Sequence, residues 1–394
     1  MKFFVQAECD RLNRMNRNVS NLTSFPETSF WARTRPGDFL ITGGEQPERI
    51  RSVMSYVQTT LSVRSRPLLI LDGTGGLEAP LIRLYTGRER AGLGTLRVYS
   101  PQYKGYDVFG GMSRHTVLQY LTAVTADRPR ESEINPAYIE AVLEVVSSAA
   151  SITMENIRAL MTKSDSEILS IARMIGLTGR FIEILTDPGS SGKNFRSFYS
   201  NLEYAFSNIH CRNTAGGHNI FRDISTGGVI YVNAQSMKTD WFYKYFSTVL
   251  DYISTSTYCV FDAVLYEITS SGKDGLLEHI RNAMQKTNET IGICCSNIAP
   301  LLQECPFIVD MPIHVLYTSG RSLLPAAISK SYDTYDYCFP KKVFRPGVFA
   351  LPVADNWEIA MMKRDRIRPQ DLNERGVYKL MKGHNGEEIA LVSG

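Results

Sequence analysis

The sequence predicts an α/β protein whose parallel sheet is interrupted by an all-α insertion. Three observations carry this. Short apolar runs alternate with helix-spaced segments to about residue 100. From Thr116 to about His210 the pattern turns almost wholly helical. Apolar runs alternating with helical ones then return at "GGVIYVNA".

The segment to about Asn18 reads as a short helix, and "SNLTSFPETSFWARTRPGD" as an irregular connector. "DFLIT" is a short strand. Ile50, Val53, Met54, Val57 and Leu61 in "PERIRSVMSYVQTTLSV" fall at helical spacing. "RPLLILDGTGG" is a continuous apolar run ending in acid and glycine, as a buried parallel strand should. "LEAPLIRLYTGRERAG" follows as a helix and "TLRVYSP" as a strand. That β-α-β-α-β order implies right-handed crossovers in a parallel sheet.

Five segments make up the helical stretch: "HTVLQYLTAVTA", "NPAYIEAVLEVVSSAA", "TMENIRALMT", "SDSEILSIARMIGL" and "FRSFYSNLEYAFSNI". Asn135–Pro136 supplies an N-cap with proline at the first helical position, and Ser164 or Asp165 starts the fourth segment. Beyond it, "TDWFYKYFSTVLDYIS" is a long helix, "TYCVFDAVLYEI" a strand, "GLLEHIRNAMQKT" a helix, and "TIGICCSN" and "PIHVLYTS" strands. We read residues 1–115 and 215–394, the latter including a C-terminal tail, as two parts of one α/β domain. Residues 116–214 form the insertion.

With 394 residues the chain can bury a sizeable core, and 43% hydrophobic with 21% charged residues is ordinary for a globular protein. A net charge of +3 does not by itself imply a nucleic-acid partner. No apolar run reaches the length of a membrane span, and "MKFFVQAECDRLNRMNRN" lacks the apolar centre of a secretory signal. The seven cysteines include no C-x-x-C pair, so a reduced, cytoplasmic protein without a zinc site is expected.

Ligands of open α/β sheets bind beyond the carboxyl ends of the strands, so the chemistry is sought there. The first such end is "LITGGEQPERI". A phosphate-binding loop reads G-x-x-x-x-G-K-[ST], and Gly43 to Ile50 reads G-G-E-Q-P-E-R-I, with Gly43 and Gly44 in frame. Glu48 brings a carboxylate where phosphate oxygens would sit, and Pro47 removes an amide donor. Ile50 offers magnesium no oxygen. Arg49 keeps the positive charge on a planar fork instead of a lysine point charge. A Gly-Gly before a helix is also an ordinary turn.

The second end is Asp72, after "LLILD". The third is Asp262, read as the acid closing "YCVFD", where a magnesium-orienting aspartate would stand. Ala263 follows where a water-activating glutamate would be, and Glu267 lies too far along to substitute for it. The fourth is Asn297, after "IGICCS". Each alone reads as a strand-end cap; four in register point to a ligand edge.

"DPGSSGKN", Asp187 to Asn194, mimics a phosphate loop through Gly192–Lys193, but its surroundings are helical, so we read it as a loop between helices. His210, Cys211 and His218 lack paired metal-ligand spacing. "RNAMQK" from Arg281 and "FPKKVFRPG" around Lys341 mix cations with apolar groups, as solvated surface or as a single-strand nucleic-acid surface would.

This order of segments resembles the type IV coupling proteins of conjugation and type IV secretion, within the FtsK–HerA group of RecA-like motor ATPases. In that family a phosphate-binding loop precedes a D-P-K-G-E strand and an all-α insertion. A strand, a long helix, a D-E strand, a helix with an arginine and a strand ending in glutamine follow. "LITGGEQPERI", "LLILDGTGGLEAPLIRLY", Thr116 to His210, "GGVIYVNAQ", "YCVFDAVLYEI" and "IGICCSN" fall at those places. "LLPAAISKSYDTYDYCF" and "FRPGVFALP" stand as a tail. The departures are systematic: Glu48, Arg49 and Ile50 in the loop; Gly73 and Thr74 for proline and lysine; Ala263 for the glutamate; Lys286 near the family arginine; and Asn297 for glutamine.

The resemblance implies a RecA-like fold in a catalytically degenerate subunit, a scaffold or a DNA- or substrate-recruiting component. It further implies homo- or hetero-oligomers and partners in secretion or conjugation machinery, an intact coupling ATPase among them. The family's membrane helices are missing from the sequence, so a cytoplasmic protein, peripheral at the inner membrane through partners, is expected. No catalytic residue, metal or cofactor is expected. One alternative is an unorthodox ATPase using ATP and magnesium, with Arg49 on phosphate and Asp262 on the metal. Another is a DNA-binding module without motor activity.

Overall fold

The computed structural model of the chain describes residues 37–43, 46–86, 95–126, 131–210, 218–224, 226–235, 240–256, 260–268, 276–283, 289–296, 301, 308, 311, 313–317, 348–353, 356–361, 380–382 and 388–390. The N-terminal helix and connector expected before residue 37 lie outside the described residues, as do Gly44, Cys211, Lys286, Asn297 and Lys341.

In chain order, β1 (Phe39–Gly43) leads into α1 (Gln46–Thr59), which ends in a π-helical turn, Thr60–Arg64. Then come β2 (Leu68–Asp72), α2 (Glu78–Thr86) and β3 (Leu96–Tyr99). The helical run holds α3 (Arg114–Ala126), α4 (Pro136–Ala149), α5 (Met154–Met161), α6 (Asp165–Met174), α7 (Arg180–Thr186), α8 (Ser191–Ala205) and α9 (Ile220–Ile224). It is followed by β4 (Val229–Asn233), α10 (Asp240–Ser256), β5 (Phe261–Tyr266), α11 (Leu276–Ala283), β6 (Glu289–Cys295) and β7 (Ile313–Tyr317). β8 (Val348–Val353) and β9 (Asn356–Met361) follow, and β10 (Leu380–Lys382) and β11 (Glu388–Ala390) form a separate antiparallel pair.

The main sheet runs β3-β4-β2-β5-β6-β1-β7-β8-β9. Strands β1 to β7 are parallel, and β8 and β9 add antiparallel at one edge. With helices on both faces and a helical run between β3 and β4, this is the expected α/β arrangement, a parallel sheet interrupted by a helical stretch. "FRPGVFALP", read as a tail, contributes β8 to the sheet.

Successive residues of a strand point to opposite faces, and the continuous apolar strands use both. Phe39, Ile41, Leu68 and Ile70 enter one core with Val53, Tyr56 and Val57 of α1 and Leu81 of α2. Leu40, Leu69, Leu71 and Val232 enter the other with Phe242 and Phe246 of α10 and with Val117, Ile139 and Phe195 of the helical run. Gly292 of β6 makes room for the Phe39 ring, whose Cζ would lie 2.0 Å from a Cβ there.

The expected helix starts are present. Asn135 Oδ1 accepts from the Ala137 amide with Pro136 at the first position, and Ser164 forms a capping box with Glu167. The run is tied to the sheet half by Tyr120 Oη, which donates to the Trp241 carbonyl at 3.0 Å. One expectation needs correcting. In "DPGSSGKN" the helix α8 begins at Ser191, so Gly192 and Lys193 are helical. Gly192 packs on Asp165, whose Oδ1 would lie 2.8 Å from a Cβ. Among the described residues, no single helix is long and apolar enough to cross a membrane.

Candidate functional site

The parallel register brings the ends of β1, β2, β4, β5 and β6 to one edge: Thr42 lies beside Cys295, Asp72 beside Asn233 and Tyr266, and Tyr266 beside Cys294. At this edge β1 ends at Gly43 and α1 begins at Gln46, so only Gly44 and Glu45 stand between them. Glu48, Arg49 and Ile50 are therefore helical.

Arg49 turns inward and is 5% exposed. Its Nη2 and Nε lie 2.7 and 2.8 Å from Glu267 Oε1. The other oxygen, Oε2, accepts from the Ser296 amide and hydroxyl, both at 3.0 Å. Glu267 is the first residue after β5, and its amide donates to the Cys294 carbonyl. Its φ of +51° is the left-handed region, which costs a side-chain-bearing residue roughly 1–3 kcal/mol and is held only by its surroundings.

This overturns the placement of two sequence candidates. β5 begins at Phe261, so Asp262 and Ala263 are its second and third residues and lie at the amino edge. There Asp262, fully buried, accepts from Arg66 Nη1 at 2.8 Å, from Thr60 Oγ1 at 3.4 Å and from Tyr56 Oη. Burial and the carboxylate keep the Tyr56 phenol in its protonated, donating form. The acid at the carboxyl edge is Glu267, which the spacing argument set aside. The better signal was the end of the apolar run, "AVLYE", where the first acid after the last apolar residue marks the strand's end.

Asp72 does stand at the carboxyl end of β2, fully buried. Its Oδ1 accepts from the Thr74 amide (2.8 Å) and hydroxyl (3.0 Å) and the Gly75 amide (2.9 Å). Its Oδ2 accepts from the Leu77 amide (2.8 Å) and Tyr231 Oη (2.9 Å). These five bonds occupy the carboxylate's acceptor sites, so Asp72 builds the turn into α2. Gly73 sits where a Cβ would be 2.3 Å from the Glu267 carbonyl oxygen. Next to it, Asn233 Nδ2 donates to Glu78 Oε2 at 3.0 Å.

Among the described residues, the side chains at this edge do not fit ATP and magnesium. The basic side chain is neutralised by an internal carboxylate, the acid is saturated by five donors, and Ile50 offers no oxygen ligand. Cys294 and Cys295 are buried, and burial pushes the Cys295 thiol up to about 12, so neither is a thiolate nucleophile. His210 Nδ1 pairs with the Tyr106 carbonyl and His218 Nδ1 with Asp223, each in a local contact. No group of three or more His, Cys, Asp or Glu side chains among the described residues is arranged for a metal.

No protein-family model and no curated protein matches this sequence. Among solved structures the chain is similar to VirB4 of Thermoanaerobacter pseudethanolicus, at 10% identity and a TM-score of 0.48 over 85% of this chain and 91% of that one. It is also similar to the bacterial conjugative coupling protein TrwB in a trigonal form with sulphate, at 12% identity and a TM-score of 0.46 over 84% and 87%. A TrwB complex with ADP and Mg2+ gives 12% identity and a TM-score of 0.45 over the same shares. The fold assignment rests on the sheet itself.

Proposed function

We propose that this chain is a catalytically degenerate, coupling-protein-like subunit that works as a scaffold or as a recruiter of DNA or a protein substrate in secretion or conjugation machinery. The observation that carries the reading is the buried ion pair between Arg49 and Glu267, completed by Ser296. It puts a protein carboxylate against the cation that would otherwise meet phosphate. The helical run between β3 and β4 supports the coupling-protein part, since it stands where the family's insertion does. The partners would be machinery proteins, an intact coupling ATPase among them, in a homo- or hetero-oligomer.

The test is titration with a fluorescent ATP analogue in magnesium. The reading predicts no saturable binding at micromolar analogue. Tight, magnesium-dependent binding would favour the unorthodox ATPase instead. DNA binding that weakens steeply with salt would support DNA recruitment, and its absence at low salt would leave a protein-only scaffold.

A further inference from the structure

A further ionic system lies at the amino edge, away from Glu267. His279 of α11 is 1% exposed. Its Nδ1 is 2.9 Å from Asp251 Oδ1 of α10, and its Nε2 is 2.9 Å from Glu289 Oε1 at the start of β6. A neutral imidazole has one N–H and serves one carboxylate; the imidazolium has two and serves both. The Glu289 side chain is fully buried, and its Oε2 has no partner among the described residues, so losing the imidazolium would strand a buried charge.

Among the described residues, the other charged groups nearby do not replace it. Asp38, just before β1, accepts from the Ile291 amide at 2.8 Å and adds negative potential beside Glu289. Asp262 is taken by Arg66. On α11 itself Arg281 is exposed. The helix is eight residues long, and among its described side chains Leu276 and Ile280 bury beside His279.

We propose that this cluster is a proton-operated clasp: an imidazolium at His279, bridging Asp251 and Glu289, pins α11 to α10 and the sheet, and loss of its proton releases the helix. Burial alone would discharge the ring, but the hydrogen bonds to Asp251 and Glu289 outweigh it and lift His279 from 6.5 to about 9. A group raised on folding contributes its stability below its unfolded value and loses it as pH rises through the folded one. The clasp's contribution to stability is therefore full below about 6.5 and lost as pH rises to about 9.

Amide hydrogen exchange from pH 6.5 to 9.5 tests this, with each α11 rate divided by the intrinsic rate of the unprotected amide at that pH to remove the base dependence. The expected result is that this ratio rises by up to about tenfold per pH unit. In His279→Gln the ratio is expected to be flat and already high. A flat ratio in the natural protein, or an equal slope in the variant, would overturn the clasp. Should His279→Gln not fold, the ring-nitrogen NMR shifts of the natural protein decide: an imidazolium at pH 7.5 supports it, and a neutral tautomer contradicts it.

Discussion

Arg49 and Glu267 lie 218 positions apart and meet at the carboxyl edge of the sheet, with two guanidinium nitrogens within 2.8 Å of one carboxylate oxygen. At the opposite edge Arg66, just past the π-helical turn, pairs with Asp262 at 2.8 Å. The segment from α1 to β2 is thus pinned to both ends of β5. The one non-glycine residue with positive φ at each pin, Glu267 and Ser65, marks where the backbone is bent to bring the pair together.

Removing one member of a buried pair leaves the other charge without compensation. Arg49→Met is expected to lower unfolding stability by about 3 kcal/mol. Adding Glu267→Gln should recover a substantial part of that loss, so the double variant costs less than the two singles summed. Urea unfolding of the four proteins measures the coupling, and strict additivity would show that the contact contributes nothing.

Gly73→Ala is expected to be costly although both residues are small. The new Cβ would meet the Glu267 carbonyl oxygen at 2.3 Å, and a backbone atom cannot rotate aside as a side chain can. A loss of roughly 2 kcal/mol is expected, within the range for forced overpacking. Thermal unfolding should show a fall of several degrees, and an unchanged midpoint would contradict the packing described here.

If Asp72 is a turn builder, its role is independent of metal. Asp72→Asn turns an NH2 toward amide or hydroxyl donors that now meet an acceptor. The cost should be about 2 kcal/mol. Millimolar magnesium should shift the melting temperature of neither protein; a shift confined to the natural protein would restore Asp72 as a metal ligand.

Asp38 supplies a pH signature. Burial, with help from Glu289 and Asp262 and against the Ile291 amide, raises its carboxyl from 3.8 to about 6. The folded state then binds more protons than the unfolded one between these values, so this group's contribution to stability falls as pH rises from about 4 to about 6. Asp38→Asn keeps the acceptor for the Ile291 amide and removes the titration. Across that window the melting temperature of the variant should therefore gain on that of the natural protein as pH rises, and parallel curves would count against the assignment.

Much of the fold was legible because periodicity and capping are local. The apolar strands, the helix-spaced stripe of α1, and the caps at Asn135 and Ser164 each announce themselves within a few residues. The site was less legible. "YCVFDAVLYEI" is an apolar run with one interior acid, and hydropathy gives no reason to begin the strand there instead of ending it. The reason lies about 200 residues away, in Tyr56 and Arg66, whose contacts make a buried Asp262 tolerable at the amino edge. Glu267 was passed over on distance from Asp262, a measure that fails once Asp262 is on the other side of the sheet. Gly192–Lys193 reads as a loop between helices because helical segments flank it, but packing against Asp165 makes a helical glycine the fitting residue.

The most direct test of the central claim is steady-state ATP turnover in magnesium by the purified protein and by Arg49→Ala. The closed edge predicts no turnover above background in either. Turnover by the natural protein that Arg49→Ala abolishes, in a variant shown to be folded, would contradict it.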